Sequence, residues 1–223
     1  MSIRLSKRLQ AVADAVPRGA RLIDVGTDHA MIPVWLSQND RVSHVWASDI
    51  RPGPLESARR LIGETGCGER ISLRLTDGLN GFGPEDGDTV TIAGMGGETM
   101  VHILQQALWT RENTLLILEP QSKQAFLRRW LLDNDYAIQQ ECLVEDAGRI
   151  YPILVATGGI GKPHTPVELH LGRMELIGSD PLLPAYLDAL MRRIAPAVEH
   201  DEESAALMAE FNSLKERLKE CRK

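Results

Sequence analysis

Cysteine is scarce in this chain. Its three cysteines, Cys67, Cys142 and Cys221, are too few and too scattered for a disulfide framework or a zinc knuckle. No apolar run approaches the length of a membrane span. The first ten residues are charged and lack the apolar core of a secretory signal. A basic excess is missing as well. Lys and Arg total 25 against 31 Asp and Glu, a net charge of −6, which excludes a uniformly basic nucleic-acid coat but leaves a local basic surface open. His44, His102, His164, His170 and His200 have no acid or cysteine at ligand spacing, so no metal is expected. There is no Walker loop and no Gly-x-Ser-x-Gly elbow. These absences point to a cytoplasmic protein without membrane attachment. What remains is an ordinary globular composition, 43% hydrophobic and 25% charged over 223 residues. That length suits one large domain, or a domain with an appendage, that folds without disulfides or metals.

The hydrophobic pattern alternates. Leu5, Leu9, Val12 and Val16 share a helix face that Pro17 ends. Short apolar strands follow at 21–25, 42–48, 70–75, 89–93 and 114–118. Helical patterns lie between or after them at 29–38, 54–64, 96–109 and 122–132. Repeated units of this length make a parallel sheet with helices on both faces. Two further strand-like runs, 136–144 and 149–157, are separated by only 145–148. So short a connection cannot cross over, so the pair is an antiparallel hairpin. A parallel core closed by such a hairpin is the Rossmann-like α/β layout of class I S-adenosylmethionine (SAM)-dependent methyltransferases. The segment 158–166, GGIGKPHTP, reads as a linker. Beyond it Leu187, Leu190, Ile194 and Ala197, then Leu207, Phe211, Leu214, Leu218 and Cys221, fall at seam spacings. The phase slips at 198–204, which fits two helices folded back on each other. The expected division is a catalytic domain at 1–157 and a coiled-coil-like helical domain at 158–223.

The chemistry-bearing residues cluster at strand ends. The first strand delivers Asp24, Gly26, Thr27, Asp28 and His29. A glycine at a strand-to-helix turn lets a ligand approach the backbone. The loop is not G-x-G-x-x-G, and Asp28 would meet a pyrophosphate with like charge. A ligand carrying an amino group and a sulfonium tolerates acids better, and SAM is such a ligand. The same loop also reads as a structural turn with a capping Asp, and His29 as a packing histidine, a cap or a base. Asp49, with Ile50 behind it, ends the second strand where an acid accepts from ribose hydroxyls; it equally suits a helix cap. Asp77 and Gly78 end the third, placed for the exocyclic amine of adenine or for a plain turn. Ala93, Gly94, Met95, Gly96 and Gly97 follow the fourth strand and leave bare backbone beside the same crevice. Glu119, Pro120 and Gln121 end the fifth. The pairs Arg59-Arg60, Arg128-Arg129 and Arg192-Arg193 read as solvated helix faces.

Residues 24–33, DVGTDHAMIP, resemble the TrmK family, the bacterial tRNA adenine(22)-N1-methyltransferases. The likeness continues through Leu5-Ser6-Lys7-Arg8-Leu9, Asp77-Gly78-Leu79, Gly94-Met95-Gly96-Gly97, Leu118-Glu119-Pro120-Gln121 and Gly148-Arg149-Ile150-Tyr151, across most of 1–157. Two segments depart from the usual family pattern: Met31-Ile32 replaces Tyr-Leu, and LEPQ replaces LQPN. The resemblance implies a SAM-binding catalytic domain, a C-terminal helical coiled-coil domain, and tRNA as partner.

It further implies methyl transfer to adenine N1. That nitrogen has an in-plane lone pair, so no proton need leave before attack, and the product ring is cationic. The site then wants a carboxylate rather than a strong base, and Asp28 is the catalytic candidate. Gly96, Gly97, Glu119, Pro120 and Gln121 are placed with the substrate, while Arg4, Lys7, Arg8 and the C-terminal helices would grip RNA. A monomer or weak dimer is expected. The rival readings are a SAM-dependent enzyme acting on a small molecule, a binding module with a vestigial SAM site and, more distantly, an NAD-dependent oxidoreductase.

Overall fold

The computed structural model describes residues 2–220. Ser6 caps the first helix, α1 (Lys7–Ala15), by accepting from the Leu9 amide. The sheet strands then come in turn: β1 (Ala20–Val25), β2 (Val42–Asp49), β3 (Ile71–Leu75), β4 (Thr89–Gly96) and β5 (Leu115–Ser122). Between them lie α2 (Met31–Gln38), α3 (Pro52–Thr65) and α4 (Gly97–Gln105), and α5 (Gln124–Asp133) follows β5. The hairpin strands are β6 (Tyr136–Asp146) and β7 (Arg149–Gly158). Their two-residue turn has Ala147 and Gly148 both at positive φ, 49° and 75°, the mirror-image turn that matches strand twist.

The seven strands run in the order β3-β2-β1-β4-β5-β7-β6. β1 to β5 pair in parallel, and β7 is antiparallel to both β5 and β6. The chain thus starts at the centre, winds outward to β3, then crosses to β4. That reversal opens a crevice at the carboxyl ends of β1 and β4, where open α/β sheets bind ligands. One apolar layer joins α1, α2 and α3 to the sheet through Val12, Leu36, Val45 and Ala58. A second, with Met100, Leu104, Leu127 and Leu131, covers the opposite face.

Several boundaries differ from the sequence reading. The helix expected at 29–38 starts at Met31, because residues 27–30 form a turn with Asp28 and Ala30 at φ 52° and 55°. His29 therefore lies before the helix, and Ala30, not Asp28, is the N-cap. β4 runs through Gly94-Met95-Gly96 and β5 through Glu119-Pro120-Gln121. The two strands pair across register shifts here, so these segments are irregular strand ends rather than loops. The helix expected at 96–109 stops at Gln105 and gives way to a 3₁₀ turn at Leu108–Arg111. Asp77 lies two residues beyond β3.

After β7 come two short helices, α6 (Pro166–Leu171) and α7 (Met174–Ile177), then α8 (Leu183–Ile194) and α9 (Glu202–Glu220). Thr165 and Glu168 form a reciprocal capping box at the start of α6. Leu187, Leu190, Leu207, Phe211 and Leu214 are buried together with Leu143 of β6. Ala197 is exposed, and Cys221 lies outside the described residues. Arg128, expected on a solvated face, is fully buried. Its Nε donates to Glu141 Oε1 at 2.6 Å and its Nη1 to the Leu169 carbonyl at 2.9 Å, while the Arg173 amide donates to Glu141 Oε2 at 3.0 Å. This network fixes α6 against α5 and β6. No described helix is long and apolar enough to cross a membrane, and the described residues include no metal-ligand cluster.

Candidate active site

The crevice is a cavity of about 610 Å³, within the usual size of a small-ligand site. Its floor is Asp24, near the end of β1. The carboxylate is buried and accepts from Thr91 Oγ1 of β4 at 2.6 Å. Burial pushes its pKa from 3.8 up to about 6, the Thr91 hydroxyl acting against the rise. Beyond it Gly26 turns the chain at φ 70°, a conformation that favours glycine. Any Cβ there would also fall 2.1 Å from Met95 Cε, so the Met95 thioether occupies the space a side chain would need.

Asp49 closes β2. It is buried, and its Oδ1 accepts from the Arg51 amide at 2.9 Å, so it steadies the turn into α3 while facing the cavity. Ile50 beside it is 60% exposed, which for a large aliphatic at a cavity wall provides a surface for a flat ring. Asp77 and Gly78 form the adjoining wall, with Gly78 at φ 56° over Ile103. Thr27, Asp28 and His29 line the opposite lip. Asp28 and His29 are both largely exposed, and their side chains approach to 3.7 Å. Ala93, Gly94 and Met95 complete the rim from β4.

The structure thus brings all twelve expected cofactor and catalytic residues, including Asp28, to one cavity. The expected substrate residues divide. Arg8 and Gln121 line the cavity and converge beside Gly94; a Cβ on Gly94 would lie 3.8 Å from Arg8 Nη1 and 3.9 Å from Gln121 Nε2. Gly96, Gly97, Glu119 and Pro120 do not line it. Gly96 and Gly97 instead allow close packing on Ser122 and the Lys123 carbonyl, where added Cβ atoms would sit at 2.9 and 2.4 Å. Glu119 is fully buried. Its Oε2 accepts from Arg8 Nη1 at 2.5 Å and from the Gly94 amide at 2.8 Å. Burial raises the Glu119 pKa, and Arg8 opposes the rise. Arg8 also stacks over the Tyr151 ring at 5.6 Å, so it is tied to the protein rather than free for phosphate. Arg4 and Lys7 are exposed and lie outside the cavity.

Sequence reasoning missed Leu9, Arg51, Thr76, Thr99 and His102, which also line the cavity. They reach it from helix faces and connections whose local pattern carries no ligand signal. The helical periodicity of α4 was the one available clue, since it places Thr99, His102 and Ile103 within one turn.

A family model described as a methyltransferase domain matches residues 5–154. Bacillus subtilis tRNA (adenine(22)-N(1))-methyltransferase is 39% identical over 160 residues, which are 70% of this chain and 66% of that protein. The chain belongs to the TrmK family. Among solved structures, Bacillus subtilis M1A22 tRNA methyltransferase TrmK is 30% identical with a TM-score of 0.79, covering 98% of this chain and 99% of that one. Streptococcus pneumoniae Sp1610, solved in complex with S-adenosyl-L-methionine, is 30% identical with a TM-score of 0.87, covering 95% and 100%. The class I methyltransferase fold is therefore shared with TrmK structures over almost the full chain, C-terminal helices included.

Proposed function

We propose that this protein methylates N1 of an adenine in tRNA, position 22 by family kinship, with SAM as methyl donor. The observation that carries the reading is the convergence of Asp24, Gly26, Asp49, Asp77 and Gly94 on one crevice at the sheet's reversal point. Four carboxylates, those of Asp24, Asp28, Asp49 and Asp77, line that crevice. They suit a ligand with hydroxyls, amines and positive charge, and they disfavour a pyrophosphate. Bound there, SAM supplies an electrophilic methyl group on a sulfonium.

The chain's own residues then have distinct tasks. Asp49 keeps one carboxylate oxygen free of its Arg51 bond to accept from ribose hydroxyls. Ile50 covers the adenine face, and Asp77 accepts from the exocyclic amine. Asp24, ionised above about pH 6, faces a cationic amino group. Asp28 stabilises the target ring as it becomes cationic; no residue need remove a proton before attack. Arg8 and Gln121 border the entry at Gly94, where a target base splayed from its helix would be received. In this reading residues 1–157 form the catalytic domain and 158–223 contribute to tRNA recognition.

The test is methyl transfer from labelled SAM to unmodified tRNA transcripts, followed by nucleoside analysis. The expected product is 1-methyladenosine, lost when A22 is replaced by G. Label in tRNA lacking A22 would move the target. No label in any tRNA, with transfer to a small acceptor, would favour the small-molecule reading.

A further inference from the structure

A second cavity, of about 650 Å³, lies between the start of α5 and α8. Its walls include Lys123, Phe126, His170, Leu190 and Arg193, and none of its lining residues is acidic. That is notable in a chain of net charge −6, and it contrasts with the four carboxylates of the SAM crevice. Gln121 lines both cavities, so the groove opens beside the mouth of the catalytic site. Phe126 is one of only three phenylalanines in the chain, yet it is 47% exposed on this wall. Arg193 spans the groove, donating from Nη1 to Gln124 Oε1 at 3.3 Å, and joins α8 to α5. Lys123 pairs with Glu98 at 3.7 Å, and both side chains are solvent-exposed. A phosphate displaces so weak a pairing at little cost.

We propose that this groove holds the tRNA segment flanking the target nucleotide, with backbone phosphate at Lys123 and Arg193 and an unstacked base on the Phe126 ring. The inference rests on the tRNA reading above. Cations beside an exposed aromatic are how proteins grip single-stranded RNA: charge tracks the backbone and the ring takes a base face. Continuity with the catalytic crevice through Gln121 favours RNA over a protein partner. A target base delivered to Gly94 brings its neighbouring nucleotides to Gln121, and the groove begins there. The same geometry gives the C-terminal helices a direct part in recognition, through Arg193.

The full-length protein, an unmodified tRNA transcript and the variants Lys123→Glu, Arg193→Glu and Phe126→Ala provide the test. Anisotropy across a salt series, methylation kinetics and SAM calorimetry are the readouts. Each charge reversal is expected to weaken tRNA binding by about tenfold or more and to lower the slope of log affinity against log salt by about 1. Phe126→Ala should raise KM for tRNA by at least about fivefold, the low end for losing one base stack. SAM affinity should stay at the wild-type value in all three. Wild-type tRNA affinity and KM in the variants, as expected were the groove a protein-docking surface, would overturn the assignment alone. So would a parallel loss of SAM binding. Wild-type protein that binds SAM but neither binds nor methylates tRNA would overturn the function reading, and this inference with it.

Discussion

Replacing Asp24 by Asn should invert an expectation about buried polar residues: the variant should be the more stable protein near neutral pH. Asp24 is buried on β1 and carries a pKa of about 6 against an ordinary 3.8. Between about pH 4 and 6 the folded protein keeps a proton that the unfolded chain has released. Stability therefore falls as pH rises through that window and stays lower above it. At about 1.36 kcal/mol per pH unit, the displacement amounts to about 3 kcal/mol. Asn keeps an acceptor for the Thr91 hydroxyl and has no proton to lose. Urea unfolding of both proteins without SAM, at pH 4 and pH 7.5, gives the variant-minus-wild-type difference. That difference should move in the variant's favour by roughly 2–2.5 kcal/mol between the two pH values, because at pH 4 the unfolded Asp, at its ordinary 3.8, has already released most of its proton. A difference that stays flat would refute a charged, poorly solvated carboxylate at this site. The penalty has a use in the proposed mechanism. A carboxylate that burial leaves under-solvated gains most from a cationic ligand. SAM affinity should accordingly rise with pH through about 6 in the wild type and not in the variant.

Asp49→Ala should weaken SAM binding by about 1.5–3 kcal/mol in calorimetry, the range for hydrogen bonds to a charged group, and unchanged affinity would put the ribose elsewhere. Asp28→Asn keeps the shape, tolerates the same positive φ and removes the charge; it should slow single-turnover methylation on the order of a hundredfold with SAM affinity retained. A near-normal rate would eliminate the electrostatic role. Arg128→Ala should cost about 3–5 kcal/mol in urea unfolding, because it strands Glu141 in the interior, whereas replacing both Arg128 and Glu141 by apolar residues should come much closer to wild type. The chain truncated after residue 157 should still bind SAM but melt at a lower temperature, since α6 no longer covers the Arg128–Glu141 pair, and it should lose most tRNA methylation. Full tRNA activity in that fragment would make the C-terminal helices dispensable.

The parallel sheet and its closing hairpin were legible because periodicity and connection length are local. Alternation every two dozen residues dictates crossovers, and the gap at 145–148 is too short for one. The acids of the crevice were legible for a related reason: in a parallel sheet every strand's carboxyl end lies on the same edge, so Asp49 and Asp77 must meet the 24–28 loop wherever the helices sit. What stayed hidden depends on pairs far apart in the chain. Arg8 and Glu119 are 111 residues apart, and nothing local distinguishes Arg8, tied down by that acid, from Lys7, which is exposed. Arg128 and Arg129 look alike as a dibasic pair; Arg128 falls on the α5 face that carries Gln124, Leu127 and Leu131, and the Glu141 carboxylate and Leu169 carbonyl that make its burial tolerable lie 13 and 41 residues away. The turn at 27–30 was misread for a different reason. Asp28 adopts positive φ readily, but Ala30 does so only where the surrounding structure holds it, and alanine is otherwise the best helix former. Local propensity therefore extended the helix back to His29. The fold instead spends four residues on a tight reversal that sets Thr27, Asp28 and His29 on the lip of the crevice. The place where propensity failed thus borders the candidate site.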